Sequence, residues 1–494
     1  MRYEPLTDAD LKLMHDSTLK VLAEIGAVVE GDEARDILLS AGCREEDNRL
    51  LFPAVLVEDC LVNRIPITLY GVDENIVLPL TDAPRSYSHN FGSVSILLDP
   101  GSDHIREATV CDLINFIRIS DSLPHLDMVV PSLRPTDLPE EIASLAMTAF
   151  TLQNTSKPVD IGTASDVWEV RFLIKLAAAV RGSVARLVEK PMGTISISPL
   201  SPLYFPADIT GAIIESARSG LPVTMLPCPT RGLTAPLTLA GGLVQQNAEQ
   251  LAFLTLARLV NKATPLVYTC RLAAANMRTG FVGGKDPDLG FSGACVAQLA
   301  RHYGLPSGVY GMDTGSVIPD IQSGYERAIN CFYPVLARAT FVSGMGLLNG
   351  GLLASAEQLV IDDEIYGMVI HRDSGIDVSV ESIGCEVIKA VMNGGNFLAQ
   401  EHTRDYLRKG ELYSGKIGND APLEEWRAGG CRTVRDAAKE RMTKLLVDHR
   451  GIVLEESVCS EIEAILKEAN RERGNKSEGV DFNHGRCESE KLAE

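Results

Sequence analysis

From about Asp127 onward, short runs of apolar and β-branched residues alternate with longer stretches whose apolar positions recur at helical spacing. The short runs predict strands over 127–130, 159–163, 193–198, 222–226, 265–269, 307–312 and 340–343. An eighth strand is expected at 396–399. The intervening segments predict helices. Ile142, Leu145, Ala149 and Leu152 share one face, and Ala248, Leu251, Ala252 and Leu259 share another. Asp166 and Asp208 stand where helix caps are expected. Tyr325, Ala328, Ile329, Phe332 and Leu336 form a further apolar stripe, read as a core-facing side. Strands roughly 30–45 residues apart suit βα units of a parallel barrel. A doubly wound open sheet is the competing architecture, but no GxGxxG follows an early strand.

The ends follow other patterns. Thr7 caps a helix carrying Leu11, Met14, Leu22 and Ile25, which Gly26 closes. Helices are expected at 33–40 and 52–64, and short strands with turns over 67–98. The segment 357–368 predicts a helix inserted late in the barrel, with Asp362, Asp363 and Glu364 on a solvated face. The resulting division is an N-terminal helical and strand subdomain (1–100), a barrel (101–412), a helical C-terminal extension (413–469) and a polar tail (470–494) expected to be disordered.

Composition narrows the function. The net charge of −20 lacks the basic footprint of a nucleic-acid binder and is compatible with a cationic small substrate. The first residues lack a signal peptide's basic and apolar regions, and no apolar run approaches a membrane span. Eleven scattered cysteines without a CxxC pair suit a reducing cytoplasm. The nine histidines show no HExxH or comparable spacing, and no metal is expected.

No GxSxG elbow and no GxxxxGK[ST] loop is present. The candidates are therefore polar and aromatic groups at predicted strand ends, where barrel enzymes carry their chemistry. Asp313 lies in VYGMDTGSVIPDIQSGYE, just past a strand, and Glu249 lies early in a helix. His402 follows the expected last strand. Arg231 and Arg271 follow two other strands and could pair with a substrate carboxylate. Ser198 and Ser201 stand at a further strand end. Phe91, Tyr204, Tyr268 and Tyr310 sit near strand ends, where aromatic faces suit a quaternary ammonium ion. Each has a plainer reading as a turn cap, a surface ion pair or core packing.

Four stretches carry a resemblance: VYGMDTGSVIPDIQSGYE, NAEQLA at Asn247, EQLVIDDEI at Glu357 and GGNFLAQEHT at Gly394. Together with the opening LTDADLKLMHDSTLKVLAEIGAVVE and WRAGG near Trp426, they resemble the trimethylamine methyltransferase family of corrinoid-dependent methyltransferases over roughly residues 5–450. The resemblance implies a TIM barrel that passes a methyl group from an amine to the cobalt of a separate small corrinoid protein, with no tightly bound cofactor of its own. Trimethylamine members carry pyrrolysine in the loop that here reads GMDTGSVIPD, and Asp313 matches that position. The chain thus resembles the branch that includes glycine betaine methyltransferases. A quaternary ammonium already leaves as a neutral amine and needs no imine adduct. The expectation is a cytoplasmic, homo-oligomeric methyltransferase for a quaternary amine, glycine betaine or a relative. Two rivals are a zinc-dependent methyltransferase using Cys228, Cys270 and Glu249, and a non-catalytic betaine-binding barrel.

Overall fold

The computed structural model describes residues 2–282, 286–373 and 375–473. Its centre is a ring of parallel strands: β1 (Tyr87–His89), β2 (residues 128–129), β3 (Gly162–Thr163), β4 (Ile195–Ile197), β5 (Val223–Met225), β6 (Leu266–Cys270), β7 (Ser307–Tyr310) and β8 (Phe341–Ser343). Registers run Ile195↔Val223, Val223↔Leu266, Tyr268↔Ser307, Gly308↔Phe341 and Phe341↔Tyr87. Single parallel bridges, His89↔Met128 and Val129↔Val159, close the ring through β2. This is a (β/α)8 barrel. Its strands are covered on both faces, so they read as continuous apolar runs rather than alternating ones. All five residues of β6 are buried.

One strand was expected in the wrong place. The segment 396–399 holds an exposed 3-10 turn, Phe397–Ala399. The missing barrel strand is β1, inside the region read as an N-terminal subdomain. Its sequence, Tyr-Ser-His, hides it from an apolar pattern. Ser86 and Ser88 are fully buried there; the Ser88 hydroxyl donates to the His125 carbonyl, and the Ser86 carbonyl accepts from Tyr366 Oη (2.7 Å). The Ser88 amide donates to Asp127 Oδ2 (2.9 Å), and Asp127 also takes the Arg85 guanidinium (2.6 Å).

Two other expectations change. The helix over the EQLVIDDEI run, Ala356–Ile370, is not an insertion but the barrel helix that follows β8, and Asp362 and Asp363 are buried. Helix Ile321–Leu336 turns its apolar stripe outward. It buries Glu326, Arg327 and Asn330, while Ile321, Tyr325, Ile329 and Phe332 are exposed. The polar network described below takes the inward face.

The N-terminal helix, Asp8–Lys20, carries the expected Thr7 cap in a capping box with Asp10 and packs on the long helix Leu239–Val260. The helix runs on through a π-helical turn, Val21–Ile25, which Gly26 closes at φ 72°, and a Cβ there would stand 2.3 Å from the Leu50 carbonyl oxygen. The strand Val28–Val29 pairs with Tyr204–Phe205 and fixes this segment to the loop after β4. Of the C-terminal helices, Val434–Asp448 packs on Ala356–Ile370 and Val110–Ser122, and Glu456–Glu472 on Val167–Arg181 and Glu140–Asn154. The last helix carries order past the expected tail boundary at 470. The rest of that tail, 474–494, lies outside the described residues.

Candidate active site

The C-terminal ends of β5, β6 and β7 bring together Cys228, Arg271, Tyr310 and Asp313. Asp313 is fully buried. Its Oδ2 accepts from Arg271 Nη2 at 2.8 Å, and its Oδ1 from the Thr314 amide at 2.8 Å. The same Arg271 nitrogen also donates to the Gly350 carbonyl (2.8 Å), on the rim loop between Leu347–Leu348 and Leu353–Ala354. The Arg271 guanidinium stands 5.4 Å from the Tyr310 ring centre. Burial opposes its charge, but Asp313 and Tyr310 more than offset this and hold it firmly protonated. Arg271 Nε is buried and has no partner among the described residues, so part of the donor set is unused. Burial also pushes the Tyr310 phenol up, with Cys228 adding to the effect.

The floor of this well is acidic. Asp160, from the β3 segment, accepts from Ser196 Oγ at 2.8 Å and the Gly162 amide at 3.0 Å. Burial pushes its carboxyl up to about 6 in spite of both bonds. The well opens to solvent. Cys228 is exposed although Ser198, Arg271 and Glu249 lie around it. The sequence reading passed over Asp160 and gave Cys228 only to a metal set. The signal for Asp160 was an acid inside an apolar β run, Pro-Val-Asp-Ile.

Asp160 makes a pH prediction. Its folded carboxyl titrates near 6, against about 3.9 in an unfolded chain. Between these values the folded state holds more protons, so stability falls as pH rises through that window and levels off above it. Asp160→Asn is expected to flatten that fall by about 2–3 kcal/mol, read from denaturant midpoints between pH 4 and 7. Asp362, also raised to about 6 by burial, leaves a residual slope.

A second tier of polar residues holds the loop of Asp313. Glu326 Oε2 accepts from Thr314 Oγ1 (2.6 Å) and the Gly315 amide (2.9 Å). Arg327 Nη1 donates to the Met312 carbonyl and to Asp362 Oδ2 (2.7 Å), with both side chains fully buried. Asp362 also takes the Gly346 amide (2.7 Å) and Gln358 Nε2 (2.7 Å). The NAEQLA stretch does similar work under β5 and β6. Asn247 bonds Thr18, Tyr303 and Tyr268. Gln250 Nε2 donates to the Met225 carbonyl (3.0 Å) and to that of Thr269.

The other candidates stand elsewhere. Glu249 is buried and pushed up by burial. Its carboxylate accepts from Ser201 Oγ (2.8 Å), the Leu203 amide (3.0 Å) and Gln245 Nε2 (3.1 Å), so it anchors the loop after β4 beside the well. Ser198 is also structural, tying β4 to β5 through the Leu226 carbonyl (2.6 Å). Arg231 is taken up by Asp286 (2.6 Å) and Asp288 (3.1 Å), which leaves little charge for a substrate carboxylate. Phe91 is core, edge-on to Phe116 at 5.5 Å. Tyr268 is fully buried with its hydroxyl on Asn247 Oδ1 (2.8 Å), turned to the helix layer rather than the well. Tyr204 faces the N-terminal segment, where Glu30 accepts from it. His402 lies far along the chain from the barrel strands on helix Glu401–Arg408, bonding the Glu381 carbonyl (3.1 Å) and stacking on Tyr406. For Arg231 and Tyr268 strand-end position identified the segment correctly but could not give the side chain's direction; His402 follows a 3-10 turn rather than a strand.

Cys228, Cys270 and Glu249 do not form a ligand set. No group of three His, Cys, Asp or Glu able to hold a metal occurs among the described residues. A cleft of about 1110 Å³ lies elsewhere, among the helices around His449, lined by Arg118, Phe150 and Leu446.

The trimethylamine methyltransferase family model matches residues 1–474. Trimethylamine methyltransferase MttB of Desulfitobacterium hafniense (strain DSM 10664 / DCB-2) is 32% identical over 474 residues, covering 95% of this chain and 94% of that protein. Glycine betaine methyltransferase of Desulfitobacterium hafniense (strain Y51) is 28% identical over 476 residues, covering 96% and 98%. Among solved structures, the hydroxylamine complex of MtmB aligns with a TM-score of 0.47 at 13% identity, covering 89% of this chain and 94% of that one. The barrel topology rests on the strand pairing described above.

Proposed function

The chain belongs to the trimethylamine methyltransferase family, and within it we propose that this protein moves a methyl group from a betaine, a quaternary amine with a carboxylate, to a corrinoid carried by a separate protein. The observation that carries this reading is the Arg271–Asp313 pair under Tyr310. Asp313 stands where the resemblance implies pyrrolysine in trimethylamine enzymes. Here its carboxylate is already engaged by Arg271 and a backbone amide. A substrate cation therefore does not meet a bare carboxylate in the ground state. That matters because such a contact would be lost as the cation loses its charge, and would raise the barrier.

The proposed division of labour follows. Arg271, held by Asp313 and the Gly350 carbonyl, offers its unused donors to the substrate carboxylate. The Tyr310 ring lies beside it and can face the ammonium methyl groups. The carbon–nitrogen bond breaks with its electron pair on nitrogen, so a quaternary amine leaves as a neutral tertiary amine and no proton is required. The chain supplies position and water exclusion. The corrinoid, when its carrier docks at the open well, supplies the reduced cobalt that accepts the methyl group. No described helix is long and apolar enough to cross a membrane. The work is proposed to take place in the cytoplasm.

A panel of glycine betaine, proline betaine, carnitine, butyrobetaine and trimethylamine, incubated anaerobically with the protein and cob(I)alamin, tests the reading through methylcobalamin absorbance. At least one betaine is expected to respond. A response to trimethylamine alone would overturn the proposal. With the active betaine, Asp313→Asn is expected to raise KM about tenfold, equivalent to ~1.4 kcal/mol, through a looser arginine. Unchanged KM and kcat would remove Asp313 from the site.

A further inference from the structure

At the end of the barrel opposite the well, where the strands begin, a cavity of about 480 Å³ lies between the segments that lead into β1, β7 and β8. Five arginines line it, Arg2, Arg64, Arg85, Arg301 and Arg338, against one acid, Asp82. The whole chain carries −20, so five guanidiniums around one small space run against its composition.

The framework engages part of this charge. Asp127 holds Arg85 at 2.6 Å, and Asp373 holds Arg338 at 2.5 Å. The other three arginines are poorly matched. Arg2 and Arg64 are exposed, and neither forms an ion pair among the described residues. Arg301 gives Nη1 to the Ala337 carbonyl (2.8 Å), but its Nη2 is buried without a hydrogen-bond partner, and Glu4 stands 3.8 Å away. Burial and the charge of Arg2 push the Arg301 guanidinium down, against the pull of Glu4. A buried donor without a partner costs free energy that a bound acceptor would recover. The backbone also makes room for this arrangement. Gly304, just past helix Asp288–His302, sits at φ 69°, and a Cβ there would stand 2.5 Å from Arg64 Nε.

We propose that this cavity binds a small molecule carrying two or more phosphate groups. Guanidinium forks match phosphate oxygens in pairs, and three unmatched arginines need more than one such group to satisfy them. The volume falls in the range of small-molecule sites, roughly 300–1,000 Å³, and exceeds what a single phosphate fills. Ile65, Leu80 and Leu305 supply an apolar wall for an organic part. Like charges gathered in a recess focus the field on an anion, while the acidic surface elsewhere repels it. The site shares no residue with the Arg271–Asp313 well, so the proposal is independent of the methyl donor.

Calorimetric titration of the full-length chain without an N-terminal tag tests this with inorganic pyrophosphate as the probe, at about 0.15 M salt to screen exposed charges. One saturable site per chain is expected, with a raised thermal midpoint at saturation. Orthophosphate should bind about tenfold more weakly or worse. Arg2→Ala with Arg64→Ala should leave the midpoint of the free protein unchanged and weaken pyrophosphate about a hundredfold, roughly tenfold for each lost contact. If that pair lowers the midpoint, Arg64→Gln alone is held to the tenfold loss. Arg171→Ala with Lys175→Ala, on the outer helix Val167–Arg181, should leave binding unchanged. Absence of saturable binding, binding that survives loss of the cavity arginines, or equal weakening by the outer-helix pair would each overturn the proposal. So would orthophosphate binding as tightly as pyrophosphate, or citrate binding more tightly, which would make this a carboxylate site. A nucleoside diphosphate that binds more tightly than pyrophosphate would support it and assign the apolar wall to the ligand's organic part.

Discussion

Arg271→Ala is expected to lower kcat/KM for the active betaine by about a hundredfold or more, from the loss of a buried, charge-assisted contact. The fall should be mostly in KM, because a carboxylate far from the reacting carbon is bound similarly in ground and transition states. Arg271→Lys keeps the charge but loses the planar fork, and should recover only part of the loss. The sharper readout is selectivity. Without Arg271 the Asp313 carboxylate loses its countercharge, so tetramethylammonium, which has no carboxylate, should lose far less than the betaine. Parallel kinetics with the two donors, followed as methylcobalamin formation, check this. An equal loss for both would mean that Arg271 only holds the loop.

The largest effect on stability is expected from the pair beneath that loop. Asp362→Leu leaves Arg327 fully buried with its charge uncompensated, and should cost about 3–5 kcal/mol. The environment points the same way from both sides. Burial pushes Asp362 up to about 6 and the Arg327 guanidinium down, so desolvation outweighs attraction for each. The double change Arg327→Met with Asp362→Leu should therefore be more stable than Asp362→Leu alone, even though it removes more polar contacts. Chemical denaturation of the two singles and the double closes the cycle. The double should still transfer methyl poorly, because the Met312 carbonyl loses its tie to Arg327 just before Asp313.

The barrel was readable where strands are apolar. Five of the eight strands fall within the segments expected and a sixth, Leu266–Cys270, runs one residue past its segment, since a parallel strand buried on both faces leaves an uninterrupted apolar run. A single-bridge strand at 128–129 was also within reach. The strand Tyr87–His89 was not, because buried serines look like loop residues until Asp127 is seen to satisfy their neighbourhood. The stripe on helix Ile321–Leu336 shows the opposite error. Periodicity identified an amphipathic helix correctly but not which face meets the core, and there the polar face does. At the site, Asp313, Arg271 and Tyr310 were legible as strand-end groups. Phe91 and Tyr268 obeyed the same rule and point outward, because one residue of phase turns a strand side chain to the other face.

The family stretches also divide by role. Asn247, Gln250, Gln358 and Asp362 bond to the framework around the well. Substrate choice is proposed to rest with the few groups that face the opening.

The closed pairing of Arg271 with Asp313 has a consequence for how molecules arrive. A chain with a net charge of −20 draws cations toward much of its surface, and that pull weakens as salt shortens the reach of the field. The Arg271–Asp313 pair adds little to that pull, since its opposite charges cancel at 2.8 Å. A dipolar zwitterion with no net charge would therefore be sorted at that pair after contact, by the orientation of its two ends, while a simple cation would answer to the field of the surrounding acids.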